Sequence, residues 1–280
     1  MTLAPGVTLE QLAARYSTFF IDQFGVLRDD RAAYPGANDG LLFLKSLGKT
    51  IIILSNSGRS GDYNAERFVR LGFARAGFDR FLTSGDVAYE ILKREASDVG
   101  RPRRCLTISS ADDHDLSDRL GYENVEDASI ADLIIISGSQ GETIPMELYE
   151  ERLRPAAARG VPCYCTNPDR HKLANGATVA GAGRIALAYQ KLGGTIRWFG
   201  KPHSAIYEHA LTLASPQVAS DVVCVGDSIE HDIAGARQAG LASCLVRTGI
   251  LAGMPAPDLA ALSDRFSALP DYLMASFRRR

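Results

Sequence analysis

Short apolar runs that end in polar or glycine-bearing turns recur along the chain, each followed by a stretch with helical spacing. Phe19-Phe20-Ile21 runs into Asp22, Ile51-Ile52-Ile53-Leu54 into Ser55-Asn56, and Val222-Val223-Cys224-Val225 into Gly226-Asp227. Runs that are apolar at every position, not at alternate ones, belong to strands covered on both faces, as in a parallel sheet. After the third run, Ile229, Ile233 and Ala236 fall on one side of a helix over 228–239, and Gly240 stands just past its end. Strands alternating with helices predict an α/β fold with right-handed crossovers. Ligands in such folds sit at the carboxyl ends of the strands. The polar residues that close the three runs are therefore expected to converge on one place.

A second series of runs occupies the middle of the chain. Cys105-Leu106-Thr107-Ile108, Leu133-Ile134-Ile135-Ile136 and Pro162-Cys163-Tyr164-Cys165 read as strands, with helical stretches such as 146–159 between them. This unit is expected over 84–188, inserted between two halves of the first, 1–83 and 189–280. The fold class that follows is a doubly wound, Rossmann-like α/β core with a parallel sheet, carrying an inserted α/β domain.

Composition narrows the functional classes. A net charge of -2 over 280 residues argues against a mainly electrostatic nucleic-acid binder. No apolar run reaches the roughly 18 residues that span a bilayer, and the first residues lack the basic start and apolar stretch of a signal peptide. The five cysteines are odd in number and form no CxxC pair. Cys163 and Cys165 alternate in a strand-like run, where packing explains them better than metal binding. A reducing cytoplasm fits this usage.

Candidate chemistry lies at the strand ends. Asp22 precedes Gly25, and a carboxylate there can attack phosphorus, although an Asp at a strand end is also a common turn residue. Ser55-Asn56-Ser57-Gly58-Arg59 offers a hydroxyl, an amide and loop N–H groups suited to phosphate oxygens; a plain helix cap accounts for it equally. Asp227, Glu230 and Asp232 bring hard carboxylates together, which suits Mg²⁺ but also a helix N-terminus. Lys201, in Phe199-Gly200-Lys201-Pro202, supplies a cation that can pair with both Asp22 and a phosphoryl group, or is simply a surface lysine.

Taken in order, these four segments resemble the motifs of the haloacid dehalogenase-type hydrolases. Asp22-Gln23-Phe24-Gly25-Val26-Leu27 is similar to the family's first motif, Asp-x-Asp-Gly-Thr/Val-Leu, except at its third position. Ser55 matches the second motif, Lys201 the third, and Gly226 to Asp232 the fourth, Gly-Asp-x-x-x-x-Asp. The insertion resembles the large α/β cap of the subfamily that holds 4-nitrophenyl, phosphoglycolate, nucleotide and sugar phosphatases. Thr166-Asn167-Pro168-Asp169 and Gly181-Ala182-Gly183 look like its characteristic segment.

The resemblance implies a Mg²⁺-dependent phosphatase acting on a small phosphorylated metabolite through an aspartyl phosphate. Asp22 would be the nucleophile and a metal ligand. The carbonyl of Phe24 and the carboxylate of Asp227 would bind the metal too, and Asp232 would hold a metal-bound water or Lys201. Ser55 and Lys201, with Asn56 close by, would bind the phosphoryl group. Asn167 and Asp169 in the cap would contact the leaving group, or only cap a turn. A cap of this kind is compatible with a homodimer; neither a membrane nor a nucleic acid is implied as partner.

Position 24 departs from the pattern. The family's second Asp protonates the leaving oxygen, and a phenyl ring transfers no proton. General acid–base catalysis contributes typically about 10²–10⁴-fold. Three readings stay open: substrates with good leaving groups, a substitute acid among His231, Glu230, His203, Asp29 and Asp30, or a catalytically weak protein retained to bind a phosphorylated ligand in a regulatory role. Gly181-Ala182-Gly183-Arg184 imitates a dinucleotide fingerprint without its strand and acidic partner, and is expected to be a connection leading back to the first unit.

Overall fold

The computed structural model describes residues 4–95, 100–174, 177–216 and 218–279. In chain order its strands are β1 (Thr18–Asp22), β2 (Thr50–Ser55), β3 (Arg80–Thr83), β4 (Arg104–Ile108), β5 (Glu123–Asn124), β6 (Leu133–Ile136) and β7 (Cys163–Cys165). They continue with β8 (His171–Ala174), β9 (Ala177–Ala180), β10 (Ile196–Trp198), β11 (Val222–Gly226), β12 (Ala242–Val246) and β13 (Tyr272–Met274). The chain divides into two compact units: Met1–Ser55, Gly61–Leu82 and Lys201–Arg280 make the first, and Asn56–Ser60 with Thr83–Gly200 the second.

The first unit is built on a six-stranded sheet in the order β13-β12-β11-β1-β2-β3. β1 pairs in parallel with β2 and β11, β11 with β12, and β12 with β13. Every residue of β1 and β11 is buried, which is why their sequences are apolar throughout. Phe19, Ile21, Ile51, Ile53, Val223 and Val225 pack on one face with Leu9, Leu12, Leu41, Leu44 and Phe68 of the helices Leu9–Arg15, Ala37–Ser46 and Gly61–Arg70. Strand order reverses between β1 and β11, so the loops after these two strands part from each other and leave a place for a ligand.

The expected helix over 228–239 has two parts. Its first turn, Ile229–Ile233, is a π-helix, and an α-helix follows over Ala234–Gln238. The Ser228 carbonyl accepts from Asp232 N at 3.0 Å and from Ile233 N at 3.1 Å. Asp232 Oδ2 reaches back to Ser228 N at 3.1 Å. A wider turn with these local bonds explains the departure from 3.6-residue spacing, and such turns are frequent at functional sites.

The second unit holds a five-stranded sheet, β10-β7-β6-β4-β5, with parallel pairs throughout, and the antiparallel hairpin β8–β9. Its core joins Leu106, Ile134 and Ile136 to Tyr149 and Leu153 of the helix Met146–Ala158 and to Ile185 and Tyr189 of the helix Ala182–Lys191. Tyr189 meets its polar requirement by donating to the Val161 carbonyl at 2.6 Å. Because β10 pairs with β7, this unit runs to Gly200 and not to 188. The Gly181–Gly183 segment opens the helix Ala182–Lys191 inside the unit and so does not lead directly back to the first. All five cysteines are free and buried.

Candidate active site

The carboxyl ends of β1 and β11 and the π-turn place Asp22, Asp227 and Asp232 together. One carboxylate oxygen from each lies within 4.8 Å of the others, and all three side chains are buried. Lys201, itself 4% exposed, enters from the loop before the helix Ser204–Ala214. Its Nζ donates to Asp22 Oδ1 at 2.5 Å and to Asp232 Oδ1 at 2.7 Å. A random surface lysine is excluded by this burial.

Asp227 is held from the opposite side. Ile250 N donates to its Oδ2 at 2.7 Å. A Cβ at Gly25 would come within 2.0 Å of that oxygen, and one at Gly249 within 1.8 Å. Gly25 also has φ of +87°, so two independent restraints demand glycine there. Thr248 Oγ1 donates to the Gly25 carbonyl at 2.7 Å, tying the loop after β12 to the loop after β1.

Burial dominates the electrostatics. It pushes the Asp22 carboxyl well above the usual carboxylate range, opposed by Lys201 and reinforced by Asp232 and Asp227. Asp227 is pushed up to about 7, again by burial first and Asp232 second. Burial would lower the Lys201 ammonium, but Asp22 and Asp232 outweigh it and hold it protonated. One ammonium faces three desolvated carboxyl groups, an excess of acidic groups over cations. Oxygen donors with that excess fit a hard divalent cation.

Ser55 ends β2 and is buried, and its Oγ accepts from Gln23 Nε2 at 3.0 Å. Asn56 falls in the second unit, where its Nδ2 donates to Asp169 Oδ1 at 2.9 Å. Asn167 Oδ1 accepts from Asp169 N at 3.1 Å, the local turn that Asn-Pro-Asp can make. Phe24 lies in the loop after β1, 41% exposed, with the Arg28 guanidinium 5.2 Å from its ring centroid. Sequence reading passed over Gln23, Arg28 and the Thr248-Gly249-Ile250 segment. The last had a signal: it follows Cys244-Leu245-Val246, a further apolar run closed by a polar turn.

Comparison with known proteins agrees with this construction. An HAD-hydrolase-like family model matches residues 198–278, and a haloacid dehalogenase-like hydrolase model matches residues 19–123. Sugar-phosphatase AraL of Bacillus subtilis is 27% identical over 265 residues, covering 92% of this chain and 89% of AraL. A haloacid dehalogenase-like hydrolase from Brucella suis has a TM-score of 0.82 at 28% identity, with 97% of this chain and 99% of that one covered. The p-nitrophenyl phosphatase from Archaeoglobus fulgidus has a TM-score of 0.73 at 29% identity, covering 94% and 97%. The two family models fall on the stretches that supply Asp22, Ser55, Lys201, Asp227 and Asp232. With that match, and with relatives aligned over nearly its whole length, the chain belongs to the haloacid dehalogenase-like hydrolases.

Proposed function

We propose that this chain is a cytoplasmic, Mg²⁺-dependent phosphatase that hydrolyses a small phosphorylated metabolite, such as a sugar phosphate or a nucleotide, through an aspartyl phosphate on Asp22. The observation that carries this reading is the Lys201 ammonium held between Asp22 and Asp232 in a buried cluster of carboxylates at the point where strand order reverses. The relatives point the same way: AraL is a sugar-phosphatase, and the Archaeoglobus protein a p-nitrophenyl phosphatase.

In the first step an Asp22 oxygen attacks phosphorus, and the bond from phosphorus to the leaving oxygen breaks with its electron pair on that oxygen. Water then attacks the same phosphorus, the bond to Asp22 breaks, and inorganic phosphate leaves with the carboxylate regenerated. Lys201 neutralises charge on the phosphoryl oxygens and keeps Asp22 aimed. Ser55 binds a phosphoryl oxygen. Asp22, Asp227 and the Phe24 carbonyl would hold Mg²⁺, with Asp232 beside them, and the metal when bound would add charge neutralisation and alignment.

Protonation of the leaving oxygen is the weak point. Asp29 is spent on Arg31 N and Ala32 N, both at 2.8 Å, and these bonds hold its carboxyl ionised. His203 is pulled below the usual imidazole range by burial and then by His231, so it is a poor proton donor at neutral pH. Turnover should therefore favour acyl and aryl phosphates over alkyl phosphates. Phe24 also favours a second reading, a weak catalyst that binds a phosphorylated ligand in a regulatory role.

Acid quenching after brief exposure to radiolabelled acetyl phosphate and Mg²⁺ should trap a hydroxylamine-labile phosphoprotein, and Asp22→Asn should abolish it. Labelling that persists in Asp22→Asn would mean the nucleophile lies elsewhere. Background-level turnover across sugar phosphates, nucleotides and acyl phosphates, together with tight ligand binding, would favour the second reading.

A further inference from the structure

The register that pairs Asp22 with Leu54 sets the next residues, Gln23 and Ser55, side by side, and Gln23 Nε2 donates to Ser55 Oγ at 3.0 Å. Behind Gln23 lies Arg28, 5% exposed. Its Nε donates to Gln23 Oε1 at 3.4 Å, and its Nη1 donates to the Asp29 carbonyl at 2.6 Å. A guanidinium carries donors only, so the Gln23 atom that faces it has to be the oxygen. That fixes the amide: its NH₂ end faces Ser55. A hydroxyl that accepts on one side sends its own proton to another, and among the described residues no acceptor takes the Ser55 proton. The chain of bonds thus runs one way, from Arg28 through Gln23 to Ser55, and ends with a hydrogen-bond donor still to be used. Both Arg28 acceptors are neutral, so the guanidinium charge polarises the chain in the direction of donation.

A phosphoryl group presents only acceptors. A serine beside it is useful as a donor and useless as an acceptor, and a serine left to itself can be either. We propose that Gln23, held by Arg28, is a positioning residue that presents the Ser55 hydroxyl as a donor to the transferring phosphoryl group. This rests on the phosphatase reading above.

Gln23→Glu separates positioning from packing. Glutamate has nearly the same shape and pairs with Arg28, but its oxygens only accept, so it captures the Ser55 proton. A structural role for Gln23 predicts an unharmed enzyme. Positioning predicts a melting temperature at or above the parent's with kcat/KM for acetyl phosphate down about tenfold to a hundredfold, and a comparable rise in the inhibition constant of inorganic phosphate. In a Ser55→Ala background the same change should cost less than about threefold, because the hydroxyl it acts through is gone. Gln23→Leu, which leaves Ser55 unoriented but not captured, should lose about threefold to tenfold and likewise lose nothing more with Ser55→Ala; it carries the test should Gln23→Glu fail to fold. Parent-like kcat/KM in Gln23→Glu, or an equal loss with and without Ser55, overturns the inference while leaving the phosphatase reading intact. A parent enzyme without turnover of acetyl phosphate, sugar phosphates or nucleotides overturns that reading and this inference with it.

Discussion

A phenyl ring at position 24 sets what the neighbouring carboxylate can be asked to do. Asp22 has a cation at 2.5 Å and two further carboxylates within reach, so attack on phosphorus is supported. Departure of an alkoxide is not, because nothing at position 24 can protonate it. Phe24→Asp should therefore help most where the leaving oxygen is basic. The Arg28 guanidinium that now lies against the ring would hold the new carboxyl ionised for part of the time, which keeps the gain below the full worth of a general acid. The expected rise in kcat/KM is about tenfold to a hundredfold for an alkyl phosphate, and smaller for 4-nitrophenyl phosphate, whose leaving group needs little help. Paired kinetics on the two substrates check this; a folded variant with no gain on either would refute the idea that a missing acid limits the enzyme.

At the scale of elements, loops after three strands meet around Asp227, and Gly25 is the contact that admits them. Its φ of +87° and the 2.0 Å approach of Asp227 Oδ2 to a Cβ built there predict that Gly25→Ala displaces Asp227, weakens Mg²⁺ binding at least tenfold and costs about 1–3 kcal/mol of stability. Gly240 is the control: its φ is +69°, with nothing within 4 Å of an added Cβ, so Gly240→Ala should cost about 1 kcal/mol and leave activity unchanged. Denaturant unfolding and metal titration of both variants separate backbone strain from loss of the site. The buried strands were legible because each is covered on both faces and therefore apolar at every position. Their polar ends were legible because a parallel sheet gathers them at one edge. The strand Ile196–Trp198 was not: it has no fully buried residue and carries no run to read, so the sequence pattern ends the second unit too early. Nor was the π-turn, since Ile229 and Ile233 satisfy helical spacing in either geometry. Gln23 meets Ser55 only through cross-strand register, which no local pattern of residues encodes.

Over the whole molecule, the concentration of carboxylates in the first unit couples stability, pH and metal. The protonated forms of Asp22 and Asp227 are favoured by folding, since burial raises both, Asp227 to about 7. A raised pKa means that the folded state holds protons which the unfolded chain has already released. Their stabilising contribution is fully present below the ordinary carboxylate range and is lost as pH rises through about 7. Metal-free protein should therefore lose stability from these groups between pH 5 and pH 8. On the proposed reading Mg²⁺ would compete with the same protons, so its binding should tighten over that interval. Saturation to about 100 times the dissociation constant stabilises by about 2.7 kcal/mol, which for a chain of this size raises the melting temperature by roughly 4–6 °C. That rise should be large at pH 8, small at pH 5, and much reduced at both in Asp227→Asn, which removes a titrating ligand while keeping its shape. Thermal unfolding at the two pH values, with and without Mg²⁺, tests the coupling. A shift at pH 5 equal to that at pH 8 would show that the metal does not displace protons from these carboxylates and binds somewhere else.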